Sequence, residues 1–598
     1  MAWEALRDNL LEEIDRRIEK RSEADDRPSL RNLGRVFFNR FPPEDMRGRS
    51  SENLYGCLFG LLRFLRRWPE ARPKVRIFNP DMRSHGWESR YTVIAILCRD
   101  MPFCTASVRG EINRRNLAIH TLSSCNLATR RDSDGNLLEV LPGNGREEKN
   151  VSHESLLYFE VARHSDPDDL EDLRLELIDI LEAVASVVDD FDAMRSNLQV
   201  AQEVVRGSEC VEAAWRNEAL AFLEWLQHNH MTFLGYEYLS VSRDGGAVTV
   251  GTDKSRSLGT LRDRGTRGEL DLRFDLERMD RAELQRRQLS FGKSRQRSRV
   301  HRLTYPDYVE VKVFNEAGDV IGQHRFIGLY TSSVYTMNPE LIPILRRKAE
   351  RVLSLSGLDL TEHDGRELIR VLELFPRDEL FQSSAEELYE TASAVTRIQE
   401  RRQTRVFVRS DPHGKFVSCL VYIPRDRYTT EQREKIQNIL TRSFQAEESE
   451  FTTLFSESIL VRVHFVMRVN PAAPIDYDIN EIEEQIVHAT LAWEDRLRLR
   501  LLEEFGEERG EQLMRELGAG FPAGYRDDFD PRVAVMDIRQ FLPLIDGEQL
   551  GMSLYRLLEE GDEQLKLRLY HSDNPLPLSD ILPILENLGL RVVSERPY

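Results

Sequence analysis

Between Phe375 and Leu440 the apolar positions change period twice. Leu388, Ala392 and Val395 recur at spacings of three and four, which predicts a helix ending in the cationic set Arg397, Arg401, Arg402 and Arg405. Two β-rich runs follow, 406–409 and 415–423, split by Asp411-Pro412-His413-Gly414, a hairpin signal. Thr429 and Gln432 form a capping-box pattern, so the next helix starts near Thr430, with Ile436, Ile439, Leu440 and Phe444 on its apolar face. From 460 to 469 the chain alternates strictly, Val461, Val463, Phe465, Met467 and Val469 on one side and Arg462, His464 and Arg468 on the other. The order is β-β-α-β, a split α/β sandwich.

A related pattern stands nearer the start. Residues 54–68 are apolar at helical spacing, and 91–98 is a strand. A loop at 99–103, a helix at 105–115, a strand at 117–122, a hairpin around Asp132-Ser133-Asp134-Gly135 and a strand at 156–162 complete the unit. Pairing Asp100 with Asp573 brings Pro102 onto Pro575, Phe103 onto Leu576, Val108 onto Ile581, Ile112 onto Leu585, Leu117 onto Leu590 and Ile119 onto Val592, which predicts a second copy of the β-loop-α-β unit. Between them lie helices at 169–195 and 209–227, a strand starting near Met231, and strands at 299–314 and 320–335. Residues 256–288, charged and without period, read as a surface excursion. At 480–517 the stripe Ile482, Ile486, Ala489, Trp493, Leu497 and Leu501 predicts a helical arm of up to ~50 Å, breakable at Gly506 and Gly510, whose stripe packs within its chain or against another subunit.

A chain of 598 residues implies several domains of about 100–200 residues each. Its 102 acidic against 83 basic residues, net -19, argue against general nucleic-acid or anionic-membrane binding. Six scattered cysteines with no CxxC pair fit reduced thiols in a cytoplasmic setting. The first residues form a charged amphipathic helix rather than a signal peptide, and no apolar run approaches the ~20 residues that span a bilayer.

Long words of the sequence carry a resemblance. FPRDELFQ, IQERRQTRVFVR, SCLVYIPRDR, RSRVHRLTYPDYVEVKVF, HRFIGLYTSSVY, HGWESRYTVIAILCRDMPF, FLEWLQHNHMTFLGY, FPAGYRDDFDP and LPLSDILPILENLGLRVVSERPY resemble the large NAD-specific glutamate dehydrogenases of bacteria. The resemblance implies their N-terminal regulatory portion: a multidomain α+β chain of ferredoxin-like, ACT-like βαβ sandwiches and a PAS-like antiparallel sheet joined by helical segments. The expected division is a helical segment 1–70, ACT-like module 71–165, helical linker 166–230, PAS-like domain 231–350, helical connector 351–404, ACT-like module 405–475, helical arm 476–525 and ACT-like module 526–598. The resemblance further implies that the parent enzyme converts L-glutamate, NAD and water to 2-oxoglutarate, ammonium and NADH. NAD and the catalytic residues are expected on a domain beyond Tyr598, and the ending directly after a predicted strand favours a cut chain. The partners expected are that catalytic domain, further copies of the chain and an amino-acid or carboxylate effector. The alternative is a free-standing, non-catalytic amino-acid sensor.

No stretch reads as a dinucleotide site. Gly518-Ala519-Gly520-Phe521-Pro522-Ala523-Gly524 has one residue too many, follows a predicted helix and precedes none, and no GxxxxGK[ST] sequence occurs. His363-Asp364 and His228-x-His230 each lack the further ligands of a metal site and read as structural. Arg286, Arg287, Lys293, Arg295, Arg297, Arg299 and Arg302 form a basic cluster, read as a solvated surface or, less simply, a carboxylate or acidic-surface site. The candidate effector residues are Asp100 and Met101 in the first loop and Asp573, Asn574 and Ser579 in the last. In an ACT-like unit the strand-loop-helix corner offers backbone N–H groups to a carboxylate, and an Asp can take the ammonium.

Overall fold

The computed structural model describes residues 2–69, 72–143, 151–244, 247–262, 268–359, 361–398, 401–473, 476–555, 565–572 and 576–598. The chain divides into two compact units, Met1–Arg397 and Ile398–Tyr598.

The first unit opens with α1 (Ala2–Arg21), α2 (Arg27–Phe38) and α3 (Ser51–Leu65). Then come β1 (Lys74–Phe78), α4 (Met82–His85), β2 (Thr92–Arg99), α5 (Cys104–Arg114), β3 (Ile119–Arg131), β4 (Leu137–Val140) and β5 (Ser152–Val161). The antiparallel sheet has the order β1-β2-β5-β3-β4. Val93, Ala95 and Leu97 share a buried cluster with Leu33, Phe37, Leu58 and Leu62 of α2 and α3, while Ile94, Ile96 and Cys98 on the opposite face are buried as well. A strand covered on both sides gains burial at every position, which is why 93–98 is an unbroken apolar run.

Three helices, α6 (Pro167–Asp189), α7 (Phe191–Gly207) and α8 (Ala213–Trp225), lead into a second sheet. Its elements are β6 (Met231–Asp244), β7 (Ala247–Thr252), β8 (Leu258–Gly259), α9 (Gly268–Arg278), α10 (Arg281–Arg286), β9 (Leu289–Lys293), β10 (Asp307–Phe314) and β11 (Val320–Tyr330). The order is β7-β6-β11-β10-β9, with β8 on β6, so the sheet's first and last strands pair at its centre. The described residues of 256–288 are therefore not a surface excursion: Leu272 and Leu284 of α9 and α10 are buried with Leu239 and Val320 of the sheet. The charge that hid this is the kind the sheet itself buries, as shown below. Nor is 299–314 one strand, since β10 begins at Asp307 and the preceding residues loop past α5, where the His301 N–H donates to Ser107 Oγ at 2.9 Å.

The unit continues with α11 (Ser332–Thr336), α12 (Leu345–Ser356), α13 (His363–Leu374), α14 (Arg377–Gln382) and α15 (Ala385–Ile398). Buried Arg377 donates to the carbonyls of Val334, Met337, Glu373 and Phe375 at 2.8–3.2 Å, and Lys348 Nζ to those of Leu380, Phe381 and Ser383 at 2.6–3.0 Å. Each cation collects helix-end carbonyls that no N–H within the helices can reach.

In the second unit β12 (Arg405–Ser410), β13 (Phe416–Pro424), α16 (Thr430–Ser443), β14 (Glu448–Phe455) and β15 (Leu460–Arg468) form a sheet of order β12-β13-β15-β14. The expected β-β-α-β order gains β14, an edge strand whose sequence ESEFTTLF has no alternating apolar face and leaves Phe451 and Phe455 exposed. Thr429 Oγ1 accepts the Gln432 N–H at 3.2 Å, so α16 starts where the capping pattern places it. Then follow α17 (Ile479–Thr490), α18 (Trp493–Phe505), α19 (Glu507–Leu517), α20 (Ala523–Asp528) and α21 (Pro531–Ile545). The expected arm is thus three helices. Gly506, at φ 77°, turns the chain, and α19 lies so close to α18 that a Cβ on Gly510 would stand 2.7 Å from the Leu501 carbonyl oxygen. Trp493, Leu497 and Leu501 are buried with Leu513, Phe521, Tyr525, Ala534 and Ile538, so their stripe packs within its own chain and not between subunits.

The chain closes with the hairpin β16 (Leu550–Tyr555) and β17 (Lys566–His571) and with α22 (Leu578–Asn587). Residues 590–598 hold no strand, unlike their counterparts at the start of β3, and Leu590, Val592 and Val593 are at least partly exposed. A strand exists through its ladder, and β17 pairs only with β16 among the described residues.

Candidate functional site

The first-module loop leaves β2 at Arg99 and enters α5 at Cys104. Phe103 makes the corner at φ 71°, its ring 4.7 Å from that of His301, and no side chain caps α5. The first turn of an 11-residue helix therefore presents N–H groups beside an exposed loop. Asp100 sits at the same corner, but neither oxygen is uncommitted: Oδ2 accepts from Asn126 Nδ2 at 2.9 Å and Oδ1 from Ser155 Oγ at 3.2 Å. Both hydrogen bonds leave further acceptor capacity on an exposed carboxylate. Met101, half-buried, follows it. Asn126 on β3 and Ser155 on β5 are facing residues of one ladder, a relation that appears only once the strands are paired.

Of the last loop, Asp573 and Asn574 lie outside the described residues. Ser579 is exposed in the first turn of α22, and its hydroxyl donates to neighbouring Asp580 at 3.3 Å. Asn126 and Ser155 thus join the first candidate loop; no equivalent set is described at the last.

The basic cluster is largely a set of staples rather than a solvated surface. Arg299 pairs with Glu176 and Asp179 of α6 at 3.1 and 2.7 Å, and Arg302 donates to the Tyr330 carbonyl at 2.7 Å. Lys293 is buried between Asp307 and Asp378, 2.9 Å from each. Burial pushes the Asp307 carboxyl up to about 7 against the pull of Lys293. Burial alone would lower Lys293, but the two carboxylates overcome it and hold its ammonium well above the ordinary lysine range. Sequence density flagged these residues; their acidic partners lie 14 to 123 residues away in sequence and gave no signal.

The two histidine motifs sit at helix ends. His228 and His230 lie not on a strand but at the end of α8, with Nδ1 atoms 2.7 Å from the Glu224 and Trp225 carbonyls. His363 opens α13. Among the described residues no group of three or more His, Cys, Asp or Glu side chains is arranged to hold a metal ion, and no helix is long and apolar enough to cross a membrane. The glycine-rich stretch 518–524 comprises a 3-10 turn and the start of α20, so the expectation that no helix follows it was wrong. It still follows a helix, α19, and α20 has only six residues, so it does not fit the pyrophosphate of a nicotinamide dinucleotide, which needs a strand before the turn.

These sheets and connectors define a multidomain α+β protein built from ACT-type modules. Family models match along its length: glutamate dehydrogenase ACT1 domain at 33–177, helical motif 1 at 342–401, ACT2 domain at 405–494, helical motif 2 at 500–544 and ACT3 domain at 549–598. The chain is 40% identical over 603 aligned residues to the NAD-specific glutamate dehydrogenase of Halomonas elongata, covering 100% of this chain and 37% of that protein. It is 43% identical to that of Pseudomonas aeruginosa, over 96% of this chain and 35% of the relative, and 30% identical to that of Mycobacterium tuberculosis, over 82% and 30%. The chain belongs to the family of large NAD-specific glutamate dehydrogenases, in the region of their ACT domains and helical motifs. It spans about a third of the length of the curated relatives it matches.

Proposed function

We propose that this chain is the regulatory and assembly portion of an NAD-specific glutamate dehydrogenase. In this reading the oxidation of L-glutamate by NAD takes place on a segment outside it, in the cytoplasm, and the chain itself binds an amino-acid or carboxylate effector and joins copies of the enzyme into a homo-oligomer. The observation that supports it best is the succession ACT1, helical motif 1, ACT2, helical motif 2, ACT3 along one polypeptide. In the first module the effector's carboxylate would meet the first-turn N–H groups of α5, beside Met101, and its ammonium would meet Asp100, which Asn126 and Ser155 hold in place. In the last, Asp573, Asn574 and Ser579 are proposed for the same work.

Titration calorimetry of residues 1–598 against amino acids and di- and tricarboxylates tests the reading. A ligand should bind, and Asp100→Ala or Asp573→Ala should weaken it roughly ten- to a hundredfold, as the loss of a charge-assisted hydrogen bond of about 1.5–3 kcal/mol requires. The same chain should show no glutamate-dependent reduction of NAD. Turnover by this chain, or binding indifferent to both substitutions, would refute the assignment.

A further inference from the structure

The loop between β9 and β10 is a finger. Its stem is closed by two backbone hydrogen bonds of 2.8 Å, from Ser294 N–H to the Pro306 carbonyl and from Ser298 N–H to that of Thr304. Its tip is held on three sides. Arg302 donates to the Tyr330 carbonyl at the end of β11, the central strand of the second sheet, at 2.7 Å. Arg299 pairs with Glu176 of α6 at 3.1 Å, and the same carboxylate takes Arg114 and Arg115 at the far end of α5 at 3.2 and 2.7 Å. At the near end of α5 the contact is a relay: the His301 N–H donates to Ser107 Oγ at 2.9 Å, and the Ser107 hydroxyl donates in turn to the Phe103 carbonyl at 2.8 Å.

The two residues at the ends of that relay are both left-handed, Phe103 and His301 each standing at φ 71°, and their rings lie 4.7 Å apart. Such a backbone is disfavoured in any residue with a side chain and persists only where its surroundings hold it. Here one hydroxyl and one ring contact join two such residues from the loops of two different sheets. The Phe103 carbonyl also takes the Ser107 N–H at 2.9 Å and so closes the first turn of α5. The N–H groups just before Ser107 are the ones assigned above to the effector's carboxylate, so the finger grips the peptide that aims them.

We propose that the finger couples the first loop to the second sheet, with His301 and Ser107 as positioning residues for the effector corner, and that finger docking and effector binding favour each other. The effector half of this rests on the function proposed above; the docking half does not. The sign follows from the shared requirement. Both partners need Phe103 left-handed and the first turn closed, so a docked finger presents a corner already formed, and by linkage an effector tightens the finger by the same factor. Arg302 carries the change to β11.

Hydrogen exchange of the 1–598 chain, followed peptide by peptide, tests the docking half without a ligand. Ser107→Ala raises the intrinsic helix propensity of α5 and removes only a hydroxyl, so a serine that merely fills a helix position would leave exchange in the first turn unchanged or slower. The relay predicts the reverse: exchange about fivefold faster or more at 103–110 and at 298–303 together, the low end of ordinary coupling between sites. Ser107→Thr, which keeps the hydroxyl, should stay near the parent. Arg302→Gln, which cuts the finger from β11 and not from α5, should loosen the same first turn. In titration calorimetry against free amino acids and di- and tricarboxylates, a ligand that binds the parent should bind Ser107→Ala about fivefold or more weakly. First-turn exchange unchanged or slower in Ser107→Ala, faster exchange there with the finger unmoved, or equal ligand affinity in parent and variant would overturn the proposal. Absence of heat from every ligand would overturn the effector reading instead, and the exchange experiment would still decide whether finger and corner are coupled.

Discussion

Two antiparallel sheets in this chain each bury a face under helices, and they do it with opposite materials. In the second unit β13 and β15 present Val417, Cys419, Val421, Ile423, Val461, Val463, Phe465 and Met467 to α16 and α17, and these residues form one apolar cluster with Ile436, Leu440, Phe444, Ile482 and Ile486. In the first unit β6, β10 and β11 present Glu237, Glu310, Lys312, Gln323 and Arg325 to α9, and these are just as buried. The apolar face is stabilised by removal from water, at roughly 25 cal/mol per Å². The ionic face gains little net energy from its pairs, because desolvation takes back most of the Coulomb attraction. What it gains is dependence: each charge is tolerable only while its partners remain. The apolar sheet should therefore tolerate change in proportion to volume, and the ionic one according to which partner is lost.

The largest expected effect breaks the comparison open. Arg325→Met removes the guanidinium that Glu237, Glu310 and Asp271 share and should cost about 3–5 kcal/mol. Replacing the whole row, Glu237→Leu with Arg325→Met and Glu310→Leu, should recover most of that loss. Phe465→Ala on the apolar sheet should cost a similar 3–5 kcal/mol through its cavity, with no such rescue by a second deletion nearby. Because the chain divides into two compact units, hydrogen exchange in β11 and β15 is the measurement to use, not a single midpoint. A triple variant no more protected than Arg325→Met would show that the row is not a mutually dependent set.

The next effect sharpens the same contrast through pH. Asp307, which burial pushes up to about 7, is protonated in the folded chain and ionised in the unfolded one between about pH 4 and pH 7. The folded state then holds the extra proton, so stability contributed by Asp307 is full below pH 4 and is lost as pH rises toward 7, with a slope approaching about 1.4 kcal/mol per pH unit. Asp307→Asn should flatten that part of the exchange-versus-pH curve for β10. The same substitution should leave the exchange-versus-pH curve of β15, in the apolar sheet of the second unit, as it was. An unchanged slope in Asp307→Asn would place the titration elsewhere.

The contrast also explains what could be read from the sequence. At 460–469 apolar and polar residues alternate, and that period gave the strand and its inward residues, while the capping pattern at Thr429 and Gln432 gave the helix that covers it. The same rule misread 256–288 as a surface excursion, because Asp271 and Asp275 look solvated until Arg325 and Lys312, more than thirty positions on, are brought beneath them. The resemblance to glutamate dehydrogenases, long and specific, identified the ACT-type modules where periodicity could not. Of the candidate site, Asp100 was legible as a loop residue before a helix, but Asn126 and Ser155, which hold its carboxylate, become its neighbours only through strand pairing. The arm at 480–517 was legible as helix and illegible as packing: Gly506 and Gly510 hint at a break, but nothing in the spacing tells whether Trp493 meets its own chain or another.

The smallest effect concerns how the apolar sheet's covering helix is fixed in place. The start of α16 is set by Thr429, extended at φ -131° and ψ 163°, whose hydroxyl accepts the Gln432 N–H at 3.2 Å. The reciprocal half of the capping box is not made, since Gln432 Oε1 is buried without a hydrogen-bond partner among the described residues. Thr429→Ala should therefore cost about 1 kcal/mol, the ordinary value of one N-cap hydrogen bond, and Thr429→Gly only a few tenths. Protection in the first turn of α16 should fall in the alanine variant while that of β13 and β15 changes little, because Ile436, Leu440 and Phe444 keep the rest of the helix seated on the sheet. Equal losses of protection in helix and strands would instead mean that the cap sets the position of α16 as a whole, and that the apolar face depends on a single polar contact much as the ionic face depends on its arginine.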